Sequence, residues 1–389
     1  MRRDVVLVTV GVLLLPFSSH AAERQLKEIP ETRCLKVTFN GETINAFYVI
    51  IDARTPKEKE TDRKHGQPGG AVLVFFQGHG QRPADAYKFT AKLARMSRSG
   101  IVIVPVCDTP YGKDENWRGD RGKDVVLMAI VRHVLQKEGI AIDGYKPLTD
   151  MTVAIEGKEI TPQMSDVKAK LAAIGWSHGA ILARRYAHYY PEAVVGLGHV
   201  CPAGYKQWAG SVHLAGRFAW EGLHIGTLVF RGNAGDTLSC GWGLTKGMVG
   251  DFCRSIPDGI GALQPLKFGR SYRDVRECTL YCDDSNLPLP GIGNIVVIFG
   301  LDDTCMDPRD YGIKNPENPT QEEGEVFWMK YYPGAIADGA RRTFKVFPGT
   351  HIGPVSHSEM YAREILVGLD QMVAQATYQD EVKPLKKLE

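Results

Sequence analysis

The sequence predicts an α/β protein: a mostly parallel central sheet flanked by helices, with an N-terminal antiparallel hairpin and a long insertion. Three observations predict it. Short apolar runs alternate with helix-like stretches from Ala71 onward, as a parallel sheet requires. The run Asn294 to Phe299 (NIVVIF) is almost wholly apolar, as in a strand buried on both faces. Ahead of both, Cys34 to Asp52 alternates apolar and polar residues around Asn40-Gly41, a hairpin signal.

The elements follow in order. Residues 1–21 read as a signal peptide: Arg2 and Arg3 are the positive start, Val5 to Phe17 the apolar stretch, and Ser19-His20-Ala21 the small cleavage site. The apolar stretch is too short to span a bilayer comfortably. The expectation is an exported protein, periplasmic or secreted, with no stable membrane span in the mature chain. Residues 22–389 then form one domain. Arg54 to Gly70 is charged and contains several glycines, and reads as a loop. Pro83 to Met96 reads as a helix. Gly139 to Asp166 interrupts the alternation with a surface hairpin, MTVAIEGKEIT. Lys168 to Ile174 reads as a strand, Ala180 to Tyr190 as a helix, and Val194 to Val200 as a strand. An insertion from about 201 to 293 follows, too long for a plain loop. After the NIVVIF strand come a short strand, Phe344 to Phe347, and a closing amphipathic helix, Tyr361 to Ala376. The charged final residues read as a solvated tail.

Composition narrows the function classes. A chain of 389 residues with 43% hydrophobic content can bury a full core. A net charge of only +2, spread along the chain, argues against nucleic acid and against a polybasic membrane patch. All eight cysteines lie beyond the expected cleavage site, and export permits disulfides. Cys240, Cys253, Cys278 and Cys282 fall in the insertion and suggest that it is stapled; the even count of cysteines permits full pairing, with connectivity left open. Their spacing matches no zinc pattern.

The chemistry concentrates at Gly175-Trp176-Ser177-His178-Gly179, which reads G-x-S-x-G. A serine hydroxyl is a weak nucleophile, so it must be lifted out of the fold and set beside a base. A sharp strand-to-helix turn does this, and the crowded turn needs small neighbours, here Gly175 and Gly179. Downstream, Gly300-Leu301-Asp302-Asp303 follows the NIVVIF strand, which places an acid at the carboxyl edge of the sheet. Pro348-Gly349-Thr350-His351 follows the next strand in a loop. The order is therefore serine, acid, histidine.

With these pieces in place, the chain resembles the α/β-hydrolase superfamily of serine esterases and lipases. The resemblance rests on VLVFFQGHGQ near residues 72–81, GIVIVPVCD at 100–108 and AAIGWSHGAILARRYAHYYPEAVVGLGHV at 172–200. IVVIFGLDDTC at 295–305 and VFPGTHIGP at 346–354 extend it. It implies Ser177 as nucleophile, Asp303 as acid with Asp302 the alternative, and His351 as base with His357 the alternative. It implies an oxyanion hole from the backbone N–H groups of His178 and Gln81. It also implies that the 201–293 insertion caps the site, where Trp208, Trp220 and Trp242 would shape an apolar pocket.

The expected reaction is hydrolysis of a carboxylic ester through a Ser-His-Asp triad and an acyl-enzyme, with no cofactor and no metal. The expected substrate is a small-molecule ester with an apolar acyl or alcohol part. Two other readings stand beside it: an acyltransferase on the same triad, and a non-catalytic binding protein on a hydrolase scaffold.

Overall fold

The computed structural model describes residues 30–39, 41–78, 86–107, 122–138, 153–160, 169–191, 193–204, 217, 220–221, 287–337 and 339–373. Ten strands form one sheet: β1 (Arg33–Phe39), β2 (Glu42–Asp52), β3 (Val72–Phe76), β4 (Ile101–Cys107), β5 (Val153–Ile155), β6 (Lys158–Ile160), β7 (Leu171–Trp176), β8 (Val194–Val200), β9 (Asn294–Gly300) and β10 (Arg341–Phe347). Their order across the sheet is β10-β9-β8-β7-β3-β4-β2-β1-β5-β6. The block from β10 to β4 is parallel throughout. From β4 to β6 every pairing is antiparallel. The sheet is thus mostly parallel with an antiparallel start, and helices cover it.

Period-two alternation explains why the parallel strands read as continuous apolar runs. In β3, Val72, Val74 and Phe76 enter the core on one face, while Leu73 and Phe75 enter the core on the other. Ile295, Val297 and Phe299 of β9 divide from Val296 and Ile298 in the same way. The first layer is closed by α3 (Gly122–Lys137), α4 (Gly179–Tyr189) and α5 (Gln321–Tyr331). The second is closed by α2 (Tyr87–Met96) and α8 (Ser358–Gly368). Each such apolar side chain stabilises the fold by about 1.5–3 kcal/mol when fully buried.

One sequence expectation is corrected here and another extended. Residues 54–70 are not all loop, because α1 (Pro56–His65) occupies their centre. Thr55 and Glu58 form a reciprocal capping box, Pro56 sits in the first turn, and Gly66 closes the helix in the left-handed region at φ 70°. The helix buries none of its residues, so apolar periodicity could not reveal it. The expected hairpin is present, as β5 and β6, but it is also part of the main sheet. It turns through Glu156 and Gly157, both at positive φ, and β5 pairs with β1, so it extends the main sheet.

Smaller shifts follow from packing. The strand expected over Lys168 to Ile174 begins at Leu171 and runs through Trp176. The closing helix runs from Ser358 and ends at Gly368, short of the expected Ala376. Among the described residues there are also two short helices, α6 (Pro333–Ala337) and α7 (Gly353–Ser356), and a 3-10 turn at Pro308–Tyr311. Among the described residues no helix is long and apolar enough to cross a membrane. The expected signal peptide and C-terminal tail lie outside the described residues, as does most of the expected cap.

Candidate active site

Three loops leave the carboxyl ends of β7, β9 and β10, the edge where open α/β sheets gather ligands. The first carries Ser177, which stands at φ 54°, a left-handed conformation that costs a non-glycine residue about 1–3 kcal/mol. The turn is locked by backbone bonds. Ser177 N–H donates to the Val200 carbonyl at 2.9 Å, and the Ser177 carbonyl accepts from Ala180 at 3.0 Å and Ala203 at 3.1 Å. A Cβ on Gly175 would overlap Gly179 and Ala180, and one on Gly179 would overlap the Phe76 carbonyl. Behind the turn, buried Arg184 of α4 donates to the Tyr331 carbonyl at 2.8 Å and lies over the Tyr332 ring.

The second loop carries the acid. Gly300 ends β9, and a Cβ there would stand 2.6 Å from the Gly349 carbonyl oxygen and 2.8 Å from that of Thr350. The acid and histidine loops therefore meet backbone to backbone. Asp303 Oδ1 accepts from the N–H groups of Cys305 at 2.9 Å and Met306 at 2.7 Å. That anchorage aims Oδ2 at His351 Nδ1, 2.9 Å away. On its other edge, His351 Nε2 lies 2.8 Å from Ser177 Oγ. All three residues are buried, with Ser177 only 2% exposed.

The alternatives Asp302 and His357 are placed elsewhere. Asp302 N–H donates to the Gly349 carbonyl, and its charge acts on His357. His357 Nδ1 pairs with Ser356 Oγ at 2.9 Å, and burial holds its pKa below the usual value against the pull of Asp302. His178 follows the serine at the start of α4 with helical backbone, φ −53° and ψ −34°. Gln81 lies outside the described residues.

Sequence reasoning missed the groups that hold His351. Both backbone polar groups of His351 are engaged: its carbonyl accepts from Trp176 Nε1 at 3.0 Å, and its N–H donates to Glu221 Oε1 at 2.8 Å. Trp176 sits inside the G-x-S-x-G motif, but nothing local marks its target, 175 residues away. Glu221 lies in the insertion and has no sequence signal at all.

The surroundings of His351 raise its affinity for a proton. Burial opposes it, but the Asp303 carboxylate, its hydrogen bond and the Glu221 carboxylate outweigh burial and hold His351 above the ordinary imidazole value. Burial, reinforced by Asp303, pushes the Cys201 and Cys305 thiols well up, so they stay protonated. Among the described residues, Cys201, Asp303 and His351, and Glu221, Asp303 and Cys305, are the groups of metal-binding side chains, each with its ligand atoms within 4.8 Å. Both sets share Asp303, already engaged by His351 and two N–H groups, and neither thiol is a ready thiolate ligand. Cys34, Cys201 and Cys305 are free thiols. The four cysteines expected to staple the insertion lie outside the described residues.

Sheet order, elbow and loop placement define an α/β-hydrolase fold. No protein-family model matches the chain, and no curated protein sequence does. Among solved structures it is similar to a membrane phospholipase A described as a bacterial virulence factor, at 13% identity over 88% of this chain and 86% of that one, with a TM-score of 0.46. It is also similar to a thermophilic esterase from Thermogutta terrifontis, at 13% identity over 87% and 98%, TM-score 0.45. The peroxisomal α/β-hydrolase of Saccharomyces cerevisiae shares 8% identity over 89% and 90%, TM-score 0.46. Likenesses this distant assign no role to any residue.

Proposed function

We propose that this chain is an exported serine hydrolase that cleaves carboxylic esters through an acyl-enzyme. The observation that carries this reading is the unbroken line from Asp303 Oδ2 to His351 to Ser177 Oγ, at 2.9 and 2.8 Å, on a strained strand-to-helix turn. Asp303 accepts a hydrogen bond from Nδ1–H, which leaves Nε2 free of its proton and able to accept the serine hydroxyl. As Ser177 Oγ attacks the ester carbonyl, His351 takes its proton and becomes imidazolium, held by Asp303. The carbonyl oxygen gains charge, and the backbone N–H groups of His178 and Gln81 are assigned to it, at about 3 kcal/mol per donor. His351 then protonates the departing alcohol. Water, deprotonated by the same ring, attacks the acyl-serine and frees the acid.

The substrate class is a small-molecule ester with an apolar acyl or alcohol part, for which the insertion would supply the pocket. Of its three tryptophans only Trp220 is described, and its ring is exposed. A fluorophosphonate probe tests the reading, together with a chain-length series of p-nitrophenyl esters on the mature protein. The expected result is label on Ser177 and ester turnover. An unlabelled protein would sink the enzyme reading and leave a binding scaffold. Acyl transfer to an added alcohol in preference to water would make the protein an acyltransferase. Intact mass from an exported fraction checks processing, with Ala22 as the expected first residue.

A further inference from the structure

Beside the triad stands a second buried carboxylate that the mechanism above does not use. Arg217, Trp220 and Glu221 of the insertion have helical backbone. Trp220 is 62% exposed while Glu221 is 3% exposed, so this turn presents one side to solvent and sends the other into the site. Glu221 Oε1 accepts from His351 N–H at 2.8 Å, and Oε2 accepts from Thr304 N–H at 3.0 Å and from the Thr304 hydroxyl. One carboxylate thus bridges the residue after the candidate acid and the backbone of the candidate base. It holds the two loops from outside the sheet.

The charges around it give the bridge a second consequence. Carboxylate oxygens of Glu221 and Asp303 lie within 4.8 Å of each other in a buried setting. Two anions that close repel, and the repulsion is relieved by a cation between or beside them. The nearest described cation on the insertion, Arg217, is paired with Asp310. The Cys201 and Cys305 thiols that face the same carboxylates are neutral. The group that can supply the charge is His351, when it takes the serine proton. The pair is therefore best satisfied while the imidazolium exists.

We propose that Glu221 is a positioning residue of this active site: it clamps the acid and histidine loops together and places a second negative charge toward the imidazolium formed during catalysis. This rests on the serine-hydrolase reading and extends it, because it makes Glu221 of the insertion a working member of the site. Burial and the Asp303 charge raise the carboxyl's own pKa, with the His351 charge and the Thr304 hydrogen bond opposing them, so the clamp weakens as pH falls.

Two variants of the full mature chain separate charge from position, read by p-nitrophenyl acetate kinetics against pH. Glu221→Gln keeps the length and loses the charge. Its kcat is expected to fall about 10- to 100-fold with KM little changed. The acid limb of kcat/KM should move down by about one pH unit, since removing an anion near His351 makes the imidazolium easier to deprotonate. Glu221→Asp keeps the charge but is too short to reach both loops, so kcat should fall with the limb close to its wild-type position. Wild-type kcat and an unmoved limb in both variants would overturn the inference. So would a loss that merely follows the folded fraction, counted by fluorophosphonate titration. Should Glu221→Gln not fold, Thr304→Val decides: it removes one donor to the clamp, a several-fold loss of kcat is expected, and an unchanged kcat overturns the inference. Failure of wild type itself to label would overturn the serine-hydrolase reading, whereas a labelled wild type with unaltered variants overturns only the clamp.

Discussion

The two sides of the site are held in different ways. Ser177 is held by close backbone packing: Gly175 and Gly179 leave no room for side chains against Ala180 and the Phe76 carbonyl, and backbone hydrogen bonds join the turn to Ala180 nearby and to Val200 and Ala203 at the end of β8. His351 is held from afar, by Trp176, Asp303 and Glu221, which lie 175, 48 and 130 residues away in the chain. A turn wedged by backbone against β3 and β8 is fixed by shape. A histidine fixed by three distant hydrogen bonds depends on the sheet, the acid loop and the insertion all being in place. The nucleophile side thus tolerates almost no change of shape, and the base side is open to electrostatic tuning.

That contrast can be broken in order of expected effect. Ser177→Ala should lower kcat by about 10⁶-fold while leaving the fold intact, since the elbow accepts a small side chain. Circular dichroism and ester turnover on the same sample check both halves, and near-normal turnover would remove Ser177 from the mechanism. Asp303→Asn should cost about 10⁴-fold, because an amide at Oδ2 no longer fixes the tautomer of His351. Asp302→Asn should cost less than about tenfold, and the reverse ranking would place the acid one residue earlier.

The remaining two predictions compare the sides directly. Gly179→Ala drives a Cβ into the Phe76 carbonyl, so it should destabilise the fold by about 3 kcal/mol, read as a fall in urea midpoint. Trp176→Phe removes the indole donor from the His351 carbonyl and should lower kcat about tenfold, with a stability loss of about 1–3 kcal/mol. If Trp176→Phe harms only stability, the carbonyl contact is packing and the base side is more rigid than described.

Much of this was legible from the chain. The central parallel strands announced themselves as two-sided apolar runs, and the Asn40-Gly41 hairpin as alternation around a turn. Ser177, Asp303 and His351 were nameable because each follows a strand end. The helix Pro56–His65 was missed although its capping pair, Thr55 and Glu58, is written in the sequence; a helix with no buried side has no apolar period to read. The pairing of β5 with β1 was missed because strand partners are chosen by tertiary contact.

What the sequence determined by itself is local: which segments bury both faces, where the chain must turn sharply, and in what order serine, acid and histidine arrive. These follow from side-chain size and period over a few residues. Which of two adjacent aspartates faces His351 was settled only in three dimensions, where Cys305 and Met306 N–H groups grip one carboxylate and Gly349 receives the backbone of the other. Glu221 belongs wholly to the tertiary structure. Its chemistry comes from being buried within 4.8 Å of another carboxylate and bonded to a histidine backbone 130 residues distant, and no short-range pattern encodes a meeting of that kind.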